Sequence, residues 1–251
     1  MTTRKNLIAT GIIVLSVIST LHAETAAEVA AETQAAIDAD DAPAWMSPQL
    51  PQDIQNGIQQ KSKDLAQYLK LDNEVKEAAV ATLLTEHYGR VWAWHQQVDE
   101  KLDAAWLNWD DARNSQEGQK DELKALTIMV EQIDPIYAEF SPQIQGLLKA
   151  LRQELSEEQI IALLDYITRS PGVDRTYNAY VEMVPEMKDE EKKIVRQRLE
   201  QARVDSLAAR DKKRIIKIFK KYKIRNEFSI DYFGYGYRER YKAWVNRSKS
   251  K

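Results

Sequence analysis

His95 and Asp99 stand four residues apart, so on a helix they share one face one turn apart. That spacing suits a ligand pair or an acid–base pair, and equally a seam histidine oriented by a carboxylate. His87 precedes His95 by eight residues, roughly 12 Å along a helix axis, too far for the two to share one metal from a single helix. Trp92, Trp94, Trp106 and Trp109 crowd the same stretch. Aromatic faces stack on sugar rings, and Trp92 and Trp94 stand off the apolar seam that takes in Trp109. Further on, Arg175, Tyr177, Tyr180 and Glu182 follow a Ser170-Pro171-Gly172 break. A tyrosine hydroxyl beside an arginine is the pairing with which a lyase abstracts a proton next to a uronate carboxylate while neutralising that carboxylate. His95, Tyr177 and Glu182 are therefore the catalytic candidates. Trp92, Trp94, His95, Arg175, Tyr177 and Tyr180 are the ligand-binding candidates. Amphipathic packing is the other reading of both tyrosines.

Much other chemistry is excluded. The chain has no cysteine, so it has no disulfide, thiol nucleophile, thiolate metal site or lipid-bearing cysteine. No nucleophile elbow, phosphate loop, zinc-protease pair or EF-hand loop occurs, and no metal or cofactor is expected. The N-terminus reads as a secretory signal over residues 1–23: Arg4 and Lys5, an apolar stretch from Leu7 to Leu21, and Ala23 before the cut. The stretch is short for a bilayer span of about 20 residues, so no stable membrane anchor is expected after cleavage. Export without cysteine fits a bacterial periplasm. The net charge of −3 hides an asymmetry. Glu24 to Gln60 contains seven acidic residues and no Lys or Arg, whereas Arg210 to Lys251 contains 15 basic residues against 4 acidic ones. That basic end interleaves Phe219, Tyr222, Tyr232, Phe233, Tyr235, Tyr237 and Tyr241. In a cytosolic protein the pattern would point to nucleic acid. In an exported one, an anionic glycan, a membrane surface or the chain's own acidic stretch are better partners, and ordinary solvated helix faces produce the same pattern.

The elements that must position these residues are helices. Residues 24–51 form an acidic, Ala-rich linker, with prolines at 48 and 51 near its end. Ile54, Ile58, Leu65 and Leu69 begin helical spacing. Asp72 is placed to N-cap a second helix reaching Arg113, roughly 60 Å long. Leu84, Tyr88, Val91, His95, Val98, Leu102, Ala105 and Trp109 make its seam, with a period near 3.5. A helix from Glu122 should end at Asp134-Pro135, and Ser141-Pro142 should open the next. Ser156-Glu157-Glu158-Gln159 is a capping box. Later helices are expected up to Pro185, from Asp189 along Ile194, Val195, Leu199 and Ala202, to about Tyr222, and over Arg238 to Val245. No stretch alternates as a strand does. The expected fold is all-α, a single-domain bundle of long antiparallel helices over residues 52–251.

From about Asp72 onward the chain resembles an exported bacterial family catalogued as domain of unknown function 3826. The resemblance is carried by Tyr88 to His95 with Asp99, Lys101 and Leu102, by Leu155 to Gln159, by Thr176-Tyr177-Asn178-Ala179-Tyr180-Val181-Glu182-Met183-Val184-Pro185, and by Gly236, Tyr237 and Trp244. Where the family carries an apolar Gly-Val-Val-Pro-like loop, this chain has a charged segment from Arg169 to Arg175. The resemblance implies a protein that accompanies carbohydrate-degrading enzymes in bacteria consuming polysaccharides, and it supplies no catalytic residues. Leu155-Ser-Glu-Glu-Gln159 also resembles the Leu-Thr-x-x-Gln motif of small periplasmic helical chaperones. Three functions follow as expectations: a periplasmic binding or accessory protein for an anionic glycan, a chaperone-like or envelope-stress protein, or a polysaccharide lyase or hydrolase. Whether turnover occurs, and the oligomeric state, do not follow from the sequence.

Overall fold

The computed structural model describes residues 43–114, 121–168 and 172–249. The signal, and the linker as far as residue 42, lie outside the described residues. The described residues belong to one compact unit. They are all-α, with α1 Gln52–Tyr68, α2 Glu74–Arg113, α3 Glu122–Ile128, α4 Asp134–Glu154, α5 Glu157–Thr168, α6 Gly172–Met183, α7 Asp189–Asp205, α8 Lys212–Tyr232 and α9 Tyr237–Lys249.

The 40-residue α2 is the spine. Asn73 caps it, accepting from the amides of Val75 (2.9 Å) and Lys76 (3.2 Å), one position beyond the expected Asp72. Its apolar positions bury Val80, Leu84, Tyr88, Val91, Trp94, Leu102, Ala105, Trp106 and Trp109. The aromatic residues cluster with α4: Trp94 lies 4.9 Å from Phe140 and 5.8 Å from Tyr137 between ring centroids. Register shows that α2 and α3–α4 are antiparallel. Arg113 meets Glu122 (3.6 Å), Asn108 meets Gln132 (3.3 Å) and Arg90 meets Gln143 (3.0 Å).

Three sequence expectations are corrected. Asp134-Pro135 does not end a helix. Met129–Ile133 forms a π turn in which the Asp134 amide reaches back to the Met129 carbonyl, and this wider turn gives the Pro135 ring the space an α turn denies. Pro142 lies inside α4, where burial of Phe140, Ile144, Leu147, Leu148 and Leu151 outweighs the roughly 3 kcal/mol that an interior proline costs. The end of the supposed linker is part of the core. Trp45 and Met46 are buried, Trp45 packs 5.2 Å from Phe140, and Arg90 Nε donates to the Met46 carbonyl. Gly89 lets this segment cross α2, since a Cβ there would stand 3.2 Å from Leu50 Cδ1.

A second core joins Val173, Tyr180 and Met183 of α6 to Val195 and Leu199 of α7 and Ile230 of α8, with Val184 and Met187 between. α7 and α8 are antiparallel: Asn226 Nδ2 donates to the Val195 carbonyl (3.1 Å), Arg198 to that of Arg225 (3.0 Å), and Tyr222 bonds Asp205. α8 runs past Tyr222, where the helix was expected to end, as far as Tyr232. It also follows α2 in the same direction, with Arg214 on Asp99 and Asp103 and Lys217 on Asp110.

Candidate functional site

The residues that the sequence singles out do not line one cleft. Trp94 and His95 are fully enclosed in the α2–α4 core. Trp92 is half-buried on another face of α2. Tyr180 is buried in the second core, its hydroxyl donating to the Lys223 carbonyl (3.1 Å). Tyr177 is half-buried beneath the Arg196 guanidinium, 5.4 Å from its ring centroid. Arg175 is exposed. Glu182 is also exposed and accepts from the Trp244 indole N–H (3.0 Å). Flanked by α1, α3 and α4, α2 buries rings on more than one face, so leaving the main seam does not bring Trp94 into solvent.

The histidines hold a turn. His87 Nε2 lies 3.0 Å from the Leu207 carbonyl, and His95 Nε2 lies 2.8 Å from that of Ala208. His95 Nδ1 lies 2.7 Å from Asp99, so the reading of a seam histidine oriented by Asp99 describes the geometry. Burial lowers the pKa of His95, against the pull of Asp99 and the Ala208 carbonyl. Asp99 is also bonded by Arg210 and Arg214, and Arg214 reaches Asp103 and Asp211. Together these bonds fasten residues 207–214 to α2. Among the described residues, no three His, Asp or Glu side chains group as metal ligands.

Part of the basic end is committed inside the protein. Lys217 pairs with Asp110, Lys221 and Arg225 with Asp134, and Arg240 with Glu186. These pairs join α8 to α2 and α4, and α9 to the loop after α6. These cations are spent on acids of this chain.

A concave site exists elsewhere. An open groove of about 1170 Å³ is lined by α1 (Lys61, Asp64, Tyr68), Tyr88 of α2, α5 (Asp165, Tyr166), Asp174 and residues 209–215. The His87 and His95 contacts thus position one of its walls. Tyr68 and Tyr166 stack with centroids 3.8 Å apart and planes inclined by 16°, yet they stay 45 % and 49 % exposed. Lys61 as a residue is exposed, but its ammonium lies on the face of Tyr88, 3.5 Å from the centroid. Loss of water there lowers the Lys61 pKa to about 8, a loss that the ring face partly offsets. Burial pushes the Tyr88 hydroxyl well above the usual phenol range.

None of Lys61, Tyr68 and Tyr166 was a site candidate in the sequence. One signal was there: Tyr166 stands off the stripe of Ile160, Leu163, Leu164 and Ile167, and Tyr68 stands at the edge of the stripe of α1. A ring off its stripe is exposed or covered by a neighbour, and only the packing of α1 on α5 decides which.

A family model described as "Protein of unknown function (DUF3826)" matches residues 55–250, and the chain belongs to that family. No curated protein matches it.

Proposed function

We propose that this member of the DUF3826 family is an exported accessory protein of polysaccharide use, which holds a glycan chain in the groove between α1, α5 and residues 209–215. The observation that carries this reading is the stacked Tyr68–Tyr166 pair, left half-exposed in an open groove of about 1170 Å³. Two rings stacked on each other have already gained what they can from mutual contact. Their remaining free faces and edges are apolar surface beside a set of carboxylates, ammonium groups and guanidinium groups, the combination with which a binding groove takes a sugar's C–H face and its hydroxyls. The charged N-region and apolar stretch of residues 1–23 support export, with the periplasm as the proposed destination.

Nothing comparable supports the other two expectations. A chaperone needs a continuous apolar cradle. Here the exposed large apolar residues are scattered, from Val75 and Leu107 on α2 to Leu123, Ile161 and Ile216 on three other helices. As for catalysis, His95, Tyr177 and Glu182 are placed without a shared cleft.

The test is a glycan-array screen of the mature chain, repeated with Tyr68→Ala/Tyr166→Ala. Loss of a large aromatic anchor from a binding site costs on the order of tenfold or more in affinity. We expect binding by the parent and at least tenfold weaker binding by the double variant, with the thermal midpoint little changed because both rings are half-exposed. Full binding by the double variant would remove this groove from the function.

A further inference from the structure

We infer that Lys61 is the group by which this groove selects a carboxylated sugar, such as a uronate, over a neutral one. The inference rests on the glycan reading above, and most charges in the groove are already committed. Asp165 pairs with Arg203 (2.9 Å), and Asp174 with Arg196. Arg210 is bonded to Asp99 and Asp211, and Asp211 to Arg214 (3.0 Å). Asp64 accepts a hydrogen bond from Gln60 (2.7 Å). Lys61 makes no ion pair or hydrogen bond with any described residue, and neither does Lys212 at the opposite wall. Four carboxylates and three cations line the groove, but the cations left for a ligand outnumber the one acid left, two to one.

Lys61 differs from a solvated surface lysine. Its ammonium rests on the Tyr88 ring, which removes water from one side and provides no anion in return. Tyr68 lies two turns further along α1, so a sugar stacked on the Tyr68–Tyr166 plate extends along the helix towards the ammonium. A carboxylate on that sugar supplies the missing counter-charge. By linkage, binding the anion raises the Lys61 pKa, so affinity is full below about pH 8 and falls as the free amine loses its proton above that value. His87, with a pKa of about 4, stays neutral over that range, and burial keeps the proton on the Tyr88 hydroxyl.

The experiment is calorimetric titration of the full mature chain with an oligogalacturonate and with its methyl ester, at pH 7 and pH 9. The two probes share the sugar ring and differ in charge. The expected result is tighter binding of the acid at pH 7, with about a tenfold loss at pH 9, and no such loss for the ester. Lys61→Gln should bring the acid down to the affinity of the ester at both pH values. Lys61→Arg should keep the preference and lose the pH dependence, because guanidinium does not deprotonate. The Lys61 amine followed by NMR should titrate near pH 8 alone and higher with the acid present. Equal binding of acid and ester, unchanged in Lys61→Gln, would overturn the role of Lys61 while leaving the glycan groove standing. Binding of neither, alongside an array with no glycan partner, would overturn both.

Discussion

His87 is enclosed in the α2–α4 core with Nε2 against the Leu207 carbonyl, and loss of hydration lowers its pKa to about 4 from an ordinary 6.5. Between those values the unfolded chain holds a proton that the native chain does not. Stability therefore rises with pH across this window, and what is present above pH 6.5 is lost as the pH falls towards 4. The loss amounts to at most about 3 kcal/mol. Urea melts of the parent from pH 7 to pH 4 should show a steeper decline than those of His87→Gln. Parallel curves for the two proteins would place the acid sensitivity on other groups. Trp94 and Tyr68 show what could be known about single residues in advance. Both were legible as large aromatics on helices, but exposure depends on what packs over the ring. Trp94 is covered by Phe140 and Tyr137, whereas Tyr68 is met only on one side by Tyr166.

At the scale of elements, α2 was the most legible part of the chain. Its long seam, its start beside Asp72–Asn73 and its end at Arg113 are properties of local sequence. The Ser156 capping box likewise forms as read, with Gln159 Oε1 taking the Ser156 amide (3.0 Å) and Ser156 Oγ the Gln159 amide (3.3 Å). Asn73→Ala should cost about 1 kcal/mol. It should also speed amide exchange at Val75 and Lys76 and leave the centre of α2 protected, because the cap acts only on the first turn. The prolines misled for a physical reason. Pro135 and Pro142 each remove one backbone bond, a local penalty, whereas the contacts that keep α4 continuous come from α2 and Trp45, remote in sequence.

Across the whole molecule, a row of ion pairs ties α8 to α2 and α4. Arg214, Lys217, Lys221 and Arg225 each reach a carboxylate on α2 or at the start of α4. Lys221 is only 2 % exposed, with Asp134 at 2.8 Å. Breaking a buried pair from one side leaves the other charge stranded. Lys221→Met should lower stability by about 2 kcal/mol, towards the small end of such effects because Arg225 still faces Asp134. Raising salt should weaken the parent less than its count of ion pairs implies, since the enclosed Lys221 pair is poorly screened. A loss under 0.5 kcal/mol for Lys221→Met would show that apolar packing alone docks α8.

Sequence by itself determined the all-α class, the main apolar seams, the Ser156 capping box and the family, because these depend on spacing over a few turns and on short runs of residue types. It also placed His95 against Asp99, a contact within one helix. Only the tertiary structure decided which faces α2 would cover, that Arg214, Lys217, Lys221 and Arg225 of the basic end would pair with acids of α2 and α4, and that Lys61, Tyr68, Tyr88 and Tyr166 would meet. Those four residues come from three helices. Their meeting depends on how α1 lies across α2 and α5 and on where the two histidines hang the 207–209 turn, and no local spacing encodes the relative placement of separate helices.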